Sequence, residues 1–248
     1  MPVDNVPTLS DWGFFECEAE TTANLKILNY TLPNMERKLA LHKPLRIVGS
    51  LSLRCPMARR ISPSEEVLAH WIVQNQSVFQ NKVVVELGAG LGLAGLVCAS
   101  VTDATEVVLT DGDSQVMSFL EDNVQRNREL FGKTRVSTAP VDWNTVSAAT
   151  EHVFDFVIAA DVVYEESMHI ALLFSLKHLL KPSGKAIIIA SRRGGSLEKF
   201  VRCAKSQFLR YVITELSVYI CITFNHPSPP SVVVSSPKVP VFIRSPVS

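Results

Sequence analysis

Four acidic residues each stand at the end of a predicted strand: Glu86, Asp111, Asp142 and Asp161. The apolar runs before them are rich in β-branched residues, which is typical of strands buried in a parallel sheet. The carboxyl ends of parallel strands meet at one edge of the sheet, so we expect these carboxylates to line one rim. Such a rim favours a cationic ligand that carries a ribose over a ligand with two phosphates.

A glycine-rich turn, reading ELGAGLG, follows the first of these strands within residues 83–95. Its glycines, with the one that follows in the next helix, are Gly88, Gly90, Gly92 and Gly95. Glycines let a ligand lie against main-chain N–H groups that a Cβ would block. Asp111 follows about twenty residues later, where an acid can accept both hydroxyls of a ribose. The last three glycines also fit the dinucleotide pattern GxGxxG, so a nicotinamide or flavin cofactor remains an alternative from the glycines alone.

Strands alternate with helices through the middle of the chain, which predicts an α/β fold with a Rossmann-like, doubly wound, mainly parallel sheet. Ser62 and Pro63 predict the start of a helix, with Glu65 as the acid of a capping box. Ser196 is predicted to cap a later helix, and Pro182 and Gly184 to separate a helix from the fifth strand. Predicted strands cover residues 83–86, 107–110, 136–141, 154–160 and 185–190, and predicted helices cover 63–75, 114–128, 169–180 and 196–208.

Three regions are predicted along the chain. Residues 1–60 form a small N-terminal β appendage, with a hairpin over 45–53. Residues 61–217 form the main domain and end with a strand at 211–216. Residues 218–248 are rich in proline and could carry a final strand at 239–243, since proline confines strands to sheet edges.

Composition disfavours several classes of function. The chain has 248 residues, 47% of them hydrophobic, and balances 24 basic against 24 acidic residues, so no overall field attracts nucleic acid. Five cysteines without paired spacing predict neither a metal site nor a disulfide framework. A signal peptide and a membrane-spanning run are not recognisable in the sequence. We therefore expect a monomer in the cytoplasm that could also enter the nucleus, without nucleic acid, metal or membrane as partner.

The order of these motifs resembles the class I, seven-β-strand methyltransferases that use S-adenosylmethionine, over roughly residues 61–217. The sulfonium, ammonium and ribose of that cofactor suit an acidic rim. DVVY, from Asp161 to Tyr164, is similar to the DxxY element of the protein-lysine methyltransferase branch. The resemblance implies cofactor contacts by Glu86, Gly88, Gly90, Gly92 and Asp111, with Asp142 and Trp143 flanking the adenine. It also implies that Asp161 positions the amine or the cofactor and that Tyr164 lines the lysine channel.

A narrower similarity lies in the segments PSEEVLAHW and ASRRGGSLEKF, at residues 63–71 and 190–200. They resemble the calmodulin-methylating members of that branch, which implies calmodulin as protein substrate and contacts to it from Arg192 and Arg193. Many members of the branch place a tryptophan where Ser62 stands here. The alternatives are a chaperone or elongation factor as substrate, or a catalytically silent binding protein with a methyltransferase fold.

Overall fold

The computed structural model describes residues 16–22, 25–32, 35–44, 60–146, 153–192, 194–207, 210–216 and 219–225. The predicted hairpin at 45–53, Arg193 and the predicted strand at 239–243 lie outside the described residues. None of the helices in the described part of the chain has both the length and the apolar character needed to cross a membrane.

The N-terminal region contains a three-stranded antiparallel sheet, which confirms the predicted β appendage. Its strands are β1 (Glu16–Thr21), β2 (Leu25–Thr31) and β3 (Leu39–Pro44), in the order β1-β2-β3. Tyr30, Leu39 and Leu41 of this sheet are buried in the same apolar cluster as the helices beside them. The sheet is therefore packed against the main domain.

The main domain is built on a seven-stranded sheet flanked by helices, which confirms the predicted α/β fold. Its elements are α1 (Pro63–Gln74), β4 (Val83–Leu87), α2 (Leu93–Val101), β5 (Glu106–Asp111), α3 (Ser114–Asn127), β6 (Arg135–Pro140), β7 (Phe154–Ala160), α4 (His169–Leu179), β8 (Leu180–Ser191), α5 (Ser196–Gln207), β9 (Arg210–Leu216) and β10 (Tyr219–Asn225). The strand order is β6-β5-β4-β7-β8-β10-β9. The first five of these strands are parallel to one another. The strand β10 runs antiparallel to both of its neighbours, β8 and β9.

The strand order reverses between β4 and β7, because β5 and β6 extend the sheet on one side of β4 while β7 and β8 extend it on the other. Ligands of doubly wound sheets bind at such a switch point, outside the carboxyl ends of the strands. The sheet separates two hydrophobic clusters. One contains Leu68, Leu96 and Leu120 of α1 to α3, and the other contains Leu172 of α4 and Phe200 of α5.

Two features of the sheet differ from the sequence predictions. The prediction that Pro182 and Gly184 separate helix from strand is wrong, since β8 begins directly after α4 and contains both residues. The pairing with β7 shifts there, so a bulge takes up the proline, which has no N–H for a regular ladder. The sheet also continues beyond residue 217, because β10 pairs with both β8 and β9. Only the two residues 217–218 separate β9 from β10, which makes them a hairpin.

Candidate functional site

The glycine turn lies at the switch point, between β4 and α2. Gly88, Gly90 and Gly92 have φ values of 65°, 55° and 87°, in the left-handed region that favours glycine. A Cβ on Gly88 would lie 2.9 Å from Cγ1 of Val162 and 3.3 Å from Cζ2 of Trp143. The turn after β4 therefore meets the segments that follow β6 and β7, which brings three of the predicted site regions together.

Asp111, the last residue of β5, is bonded to the glycine turn. Its Oδ2 accepts the N–H of Gly90 at 3.0 Å, and its Oδ1 accepts the N–H of Asp113 at 3.0 Å. Burial raises the pKa of this carboxyl, and the two N–H donors oppose that shift. Each carboxylate oxygen has a second lone pair, so these bonds leave acceptor capacity for hydroxyl groups of a ligand.

Asp142 and Trp143 begin a short 3-10 turn after β6. Oδ1 of Asp142 accepts the N–H of Asn144 at 2.9 Å and so caps that turn. The Trp143 carbonyl accepts a bond from Ser175 of α4 at 3.3 Å, and its indole lies beside Gly88. The indole of Trp143 therefore lies at the glycine turn, while its main chain is bonded to α4. The helix α4 belongs to the hydrophobic cluster that does not contain α2.

Asp161, directly after β7, has a strained backbone. Its φ is 56°, and its N–H donates to the Ile189 carbonyl of β8 at 2.9 Å. The left-handed region is unfavourable for a residue with a Cβ, although aspartate tolerates it better than most residues do. Such strained positions cluster at functional sites, where the surrounding structure imposes them.

The segment after Asp161 is held in place by two buried side chains. The Val163 carbonyl accepts bonds from Ser196 Oγ and from Nε2 of His169, the latter at 2.9 Å. The prediction that Ser196 caps α5 is wrong. Its hydroxyl donates to the Val163 carbonyl, and the cap position lies one residue earlier, where the Gly195 carbonyl accepts the N–H of Lys199. Tyr164, the next residue, is 46% exposed.

Two buried carboxyl groups lie beneath the glycine turn. Glu86 is 1% exposed, and its Oε2 accepts the N–H of Gly95 at 2.9 Å. Glu65 is 6% exposed, and its Oε1 accepts the N–H of Leu93 at 2.8 Å. Both N–H groups belong to the first turn of α2, which Gly92 cannot cap with a side chain. The two carboxyls therefore complete the start of α2, and the predicted contact of Glu86 with a cofactor stays a prediction.

Burial raises the pKa of both groups. The pKa of Glu86 rises to about 8, with the charge of Asp111 adding to the effect of burial. The pKa of Glu65 lies well above its usual range because of burial and of the nearby Glu86. The unfolded chain releases these protons near pH 4.3, and the folded chain keeps them to higher pH. The free energy of unfolding contributed by Glu86 is therefore present at low pH and lost as pH rises toward 8.

We expect Glu86→Gln to become more stable than the wild type as pH rises. The amide oxygen keeps an acceptor for Gly95 and cannot ionise, so at pH 8 the variant should gain on the order of 3 kcal/mol relative to its difference at pH 5. Urea unfolding at both pH values measures this. Glu121→Gln, which removes an exposed carboxylate of α3, is the matched control. If the free energy of unfolding of Glu86→Gln and of wild type changed in parallel with pH, the raised pKa of Glu86 would be contradicted.

The sequence predicts Glu65 as a capping-box acid and not as a residue of this region. Its capping-box position is confirmed, since Ser62 Oγ accepts the N–H of Glu65 at 3.1 Å. The bond of Glu65 to Leu93 cannot be predicted from neighbouring residues, because it depends on how α1 packs on α2.

Of the two arginines predicted to contact substrate, Arg192 is exposed directly after β8, and Arg193 is outside the described residues. Among the residues that the structure describes, no group of three or more His, Cys, Asp and Glu side chains could hold a metal ion.

Comparison with solved structures shows the same fold. A protein from Nostoc punctiforme named a putative O-methyltransferase superposes with a TM-score of 0.54 at 16% sequence identity. The superposition covers 68% of this chain and 58% of that chain. At this identity, the likeness extends to the fold alone.

Sequence comparison identifies closer relatives. Residues 43–211 match the family described as lysine methyltransferase. Calmodulin-lysine N-methyltransferase of Arabidopsis thaliana is 40% identical over 157 residues, which are 62% of this chain and 51% of that protein. EEF1A lysine methyltransferase 3 of Mus musculus is 30% identical over 148 residues, 60% of this chain and 61% of that protein. The chain thus spans between about half and three fifths of these relatives. The family match covers most of the chain and contains the glycine turn and all four strand-end acids, so the chain belongs to the lysine methyltransferase family.

Proposed function

We propose that this chain is an S-adenosylmethionine-dependent protein-lysine N-methyltransferase and that calmodulin is its protein substrate. The observation that carries the proposal is the meeting of the glycine turn, Asp111, Trp143 and the strained Asp161 at the switch point of the sheet. Membership of the lysine methyltransferase family supports the reaction class.

The residues around the turn fit S-adenosylmethionine. Gly88 leaves open the space that a Cβ would take beside Trp143 and Val162. In the proposed complex, the main chain of the glycine turn holds the carboxylate of the cofactor, and Asp111 accepts the ribose hydroxyls with its remaining lone pairs. Trp143 stacks beside the adenine, and Asp142 accepts from its amino group. Glu86 supports the turn from beneath, because it accepts the N–H of Gly95 at the start of α2.

When bound, the cofactor supplies a methyl group on a cationic sulfonium. The target lysine must present a neutral amine, and deprotonation of a free lysine near pH 7.4 costs about 4 kcal/mol. A dry channel walled by Tyr164 lowers that cost, because desolvation disfavours the charged amine. Asp161 accepts an N–H of the amine and fixes its direction, so orientation supplies much of the acceleration without a dedicated strong base.

Calmodulin is proposed as substrate because the Arabidopsis relative is named for it and has higher identity than the mouse relative named for EEF1A. Arg192 is exposed at the end of β8, on the edge of the sheet where the site lies. We propose that it contacts acidic side chains of the substrate. An elongation factor as substrate and a silent binding protein are the competing assignments.

Labelled methyl transfer tests the proposal. The purified chain is incubated with S-adenosylmethionine carrying a labelled methyl group and, in parallel, with calmodulin, EEF1A and a chaperone. We expect label on a lysine of calmodulin, located by peptide mass spectrometry. Label on EEF1A or the chaperone alone would overturn the assignment of calmodulin as the substrate. If no protein is labelled and calorimetry shows no cofactor binding, the enzymatic assignment itself fails.

A further inference from the structure

Two asparagines of α3, Asn123 and Asn127, are 0% and 2% exposed. They lie four residues apart on the helix, a rise of about 6 Å. Alternate residues of a strand are about 6.6 Å apart, which nearly matches that rise. The two amide side chains can therefore bond to alternate residues of a strand that runs beside the helix, and β3 runs there.

Among the described residues, the side chain of Asn127 bonds to β3 and to its own helix. Its Oδ1 accepts the N–H of Ala40 at 2.9 Å, and its Nδ2 donates to the Ala40 carbonyl at 2.7 Å. The same Nδ2 lies 2.7 Å from the carbonyl of Asn123. These bonds satisfy both main-chain groups of Ala40 in β3, so Asn127 attaches the N-terminal sheet to α3.

Asn123 makes the corresponding contact with β3 and a second one with the glycine turn. Its Oδ1 accepts the N–H of His42 at 2.8 Å. Its Nδ2 donates to the carbonyl of Leu91 at 3.0 Å. Leu91 directly precedes Gly92, whose φ of 87° sets the end of the turn. One buried amide therefore connects the N-terminal sheet to the turn.

The other side of Gly92 is held in a related way. The N–H of Leu93 donates to Glu65. Glu66, the neighbour of Glu65 in α1, accepts a bond from the Tyr30 hydroxyl of β2 at 3.0 Å. Both main-chain groups that flank Gly92 thus bond to side chains on helices that the N-terminal sheet packs against.

We propose that Asn123 is a positioning residue for the cofactor. Through Asn123, the N-terminal sheet helps to fix the glycine turn that binds the cofactor. The inference rests on the proposed function for the identity of the cofactor. Asn123 holds the Leu91 carbonyl in one direction, and β3 holds the amide of Asn123 so that its donor points there. Removal of this amide leaves the Leu91 carbonyl without its side-chain donor and loosens the turn before any ligand binds.

A purely structural role would make the two asparagines equivalent, which gives the chain its own matched control. Asn123→Ala and Asn127→Ala each remove bonds to β3, so both should lower the melting temperature. We expect Asn123→Ala alone to raise the Kd for S-adenosylmethionine, by at least about tenfold, and Asn127→Ala to change it less than about twofold. Calorimetry measures both values.

Amide hydrogen exchange without cofactor gives a second readout that does not depend on the proposed function. Peptides covering residues 88–95 should exchange faster in Asn123→Ala than in wild type and stay at the wild-type rate in Asn127→Ala. Equal exchange in the two variants, or equal Kd effects, would overturn the inference. If wild-type protein binds no S-adenosylmethionine, the proposed function fails while the exchange experiment still decides the role of Asn123.

A second variant keeps the experiment decisive if Asn123→Ala does not fold. Asn123→Asp keeps an oxygen for the N–H of His42 and replaces the amide nitrogen that faces Leu91 by another oxygen. Faster exchange of the turn and a raised Kd are expected again. Wild-type exchange of the turn in this variant would overturn the proposed link.

Discussion

Asp161→Ala is expected to lower the rate of methyl transfer by at least about 100-fold, because the amine loses the group proposed to orient it. The protein should stay folded. Alanine at a φ of 56° costs about 1 kcal/mol, which lowers the melting temperature only slightly. The measurement is kcat with calmodulin, the proposed substrate, together with the thermal unfolding of the same sample.

Asp161→Asn is the matched control for the backbone. Asparagine also tolerates the left-handed region, so this variant keeps the main-chain conformation and removes only the charge. We expect it to have wild-type stability and a rate far below wild type. Turnover of Asp161→Ala at the wild-type rate would contradict the role of this carboxylate.

Gly92→Ala should cause the largest loss of stability, about 3 kcal/mol. A Cβ there would lie 2.6 Å from Cδ1 of Leu120 and 2.9 Å from Cδ2 of Leu109, both buried in the core. The φ of 87° adds backbone strain for any residue with a side chain. Urea unfolding monitored by circular dichroism gives the change in free energy of unfolding.

Gly132→Ala separates the two causes. Gly132 also has a positive φ, 56°, but a Cβ on it would meet nothing within 4 Å. This variant should lose only the backbone part, about 1 kcal/mol. Equal losses in the two variants would show that the space around Gly92 is less tightly filled than the structure indicates.

The parts of the fold that depend on local signals could be predicted from the sequence. The continuous apolar run of β7 and the Ser62 cap of α1 are read from neighbouring residues, and both agree with the structure. The glycine turn was predicted for a similar reason, since left-handed backbone angles need glycine at particular positions. The resemblance of the motif order to a known family predicts the family, and the match over residues 43–211 confirms that membership.

The features that arise from packing could not be predicted in this way. Asn123 looks like an ordinary polar residue of an amphipathic helix, and only the position of β3 and the turn buries it. Glu65 has a sufficient local explanation as a capping acid, so its bond to Leu93 carries no sequence signal. The left-handed backbone of Asp161 likewise accompanies a bond from its N–H to β8, which local sequence does not indicate.

We expect Asp111 and the glycine turn to bind S-adenosylmethionine in the crevice at the switch point. A crystal structure of the chain with saturating S-adenosylhomocysteine is the direct test. The ribose hydroxyls should lie within hydrogen-bond distance of Asp111, and the adenine should stack beside Trp143. An empty crevice under these conditions, or a ligand bound away from Asp111, would contradict this expectation.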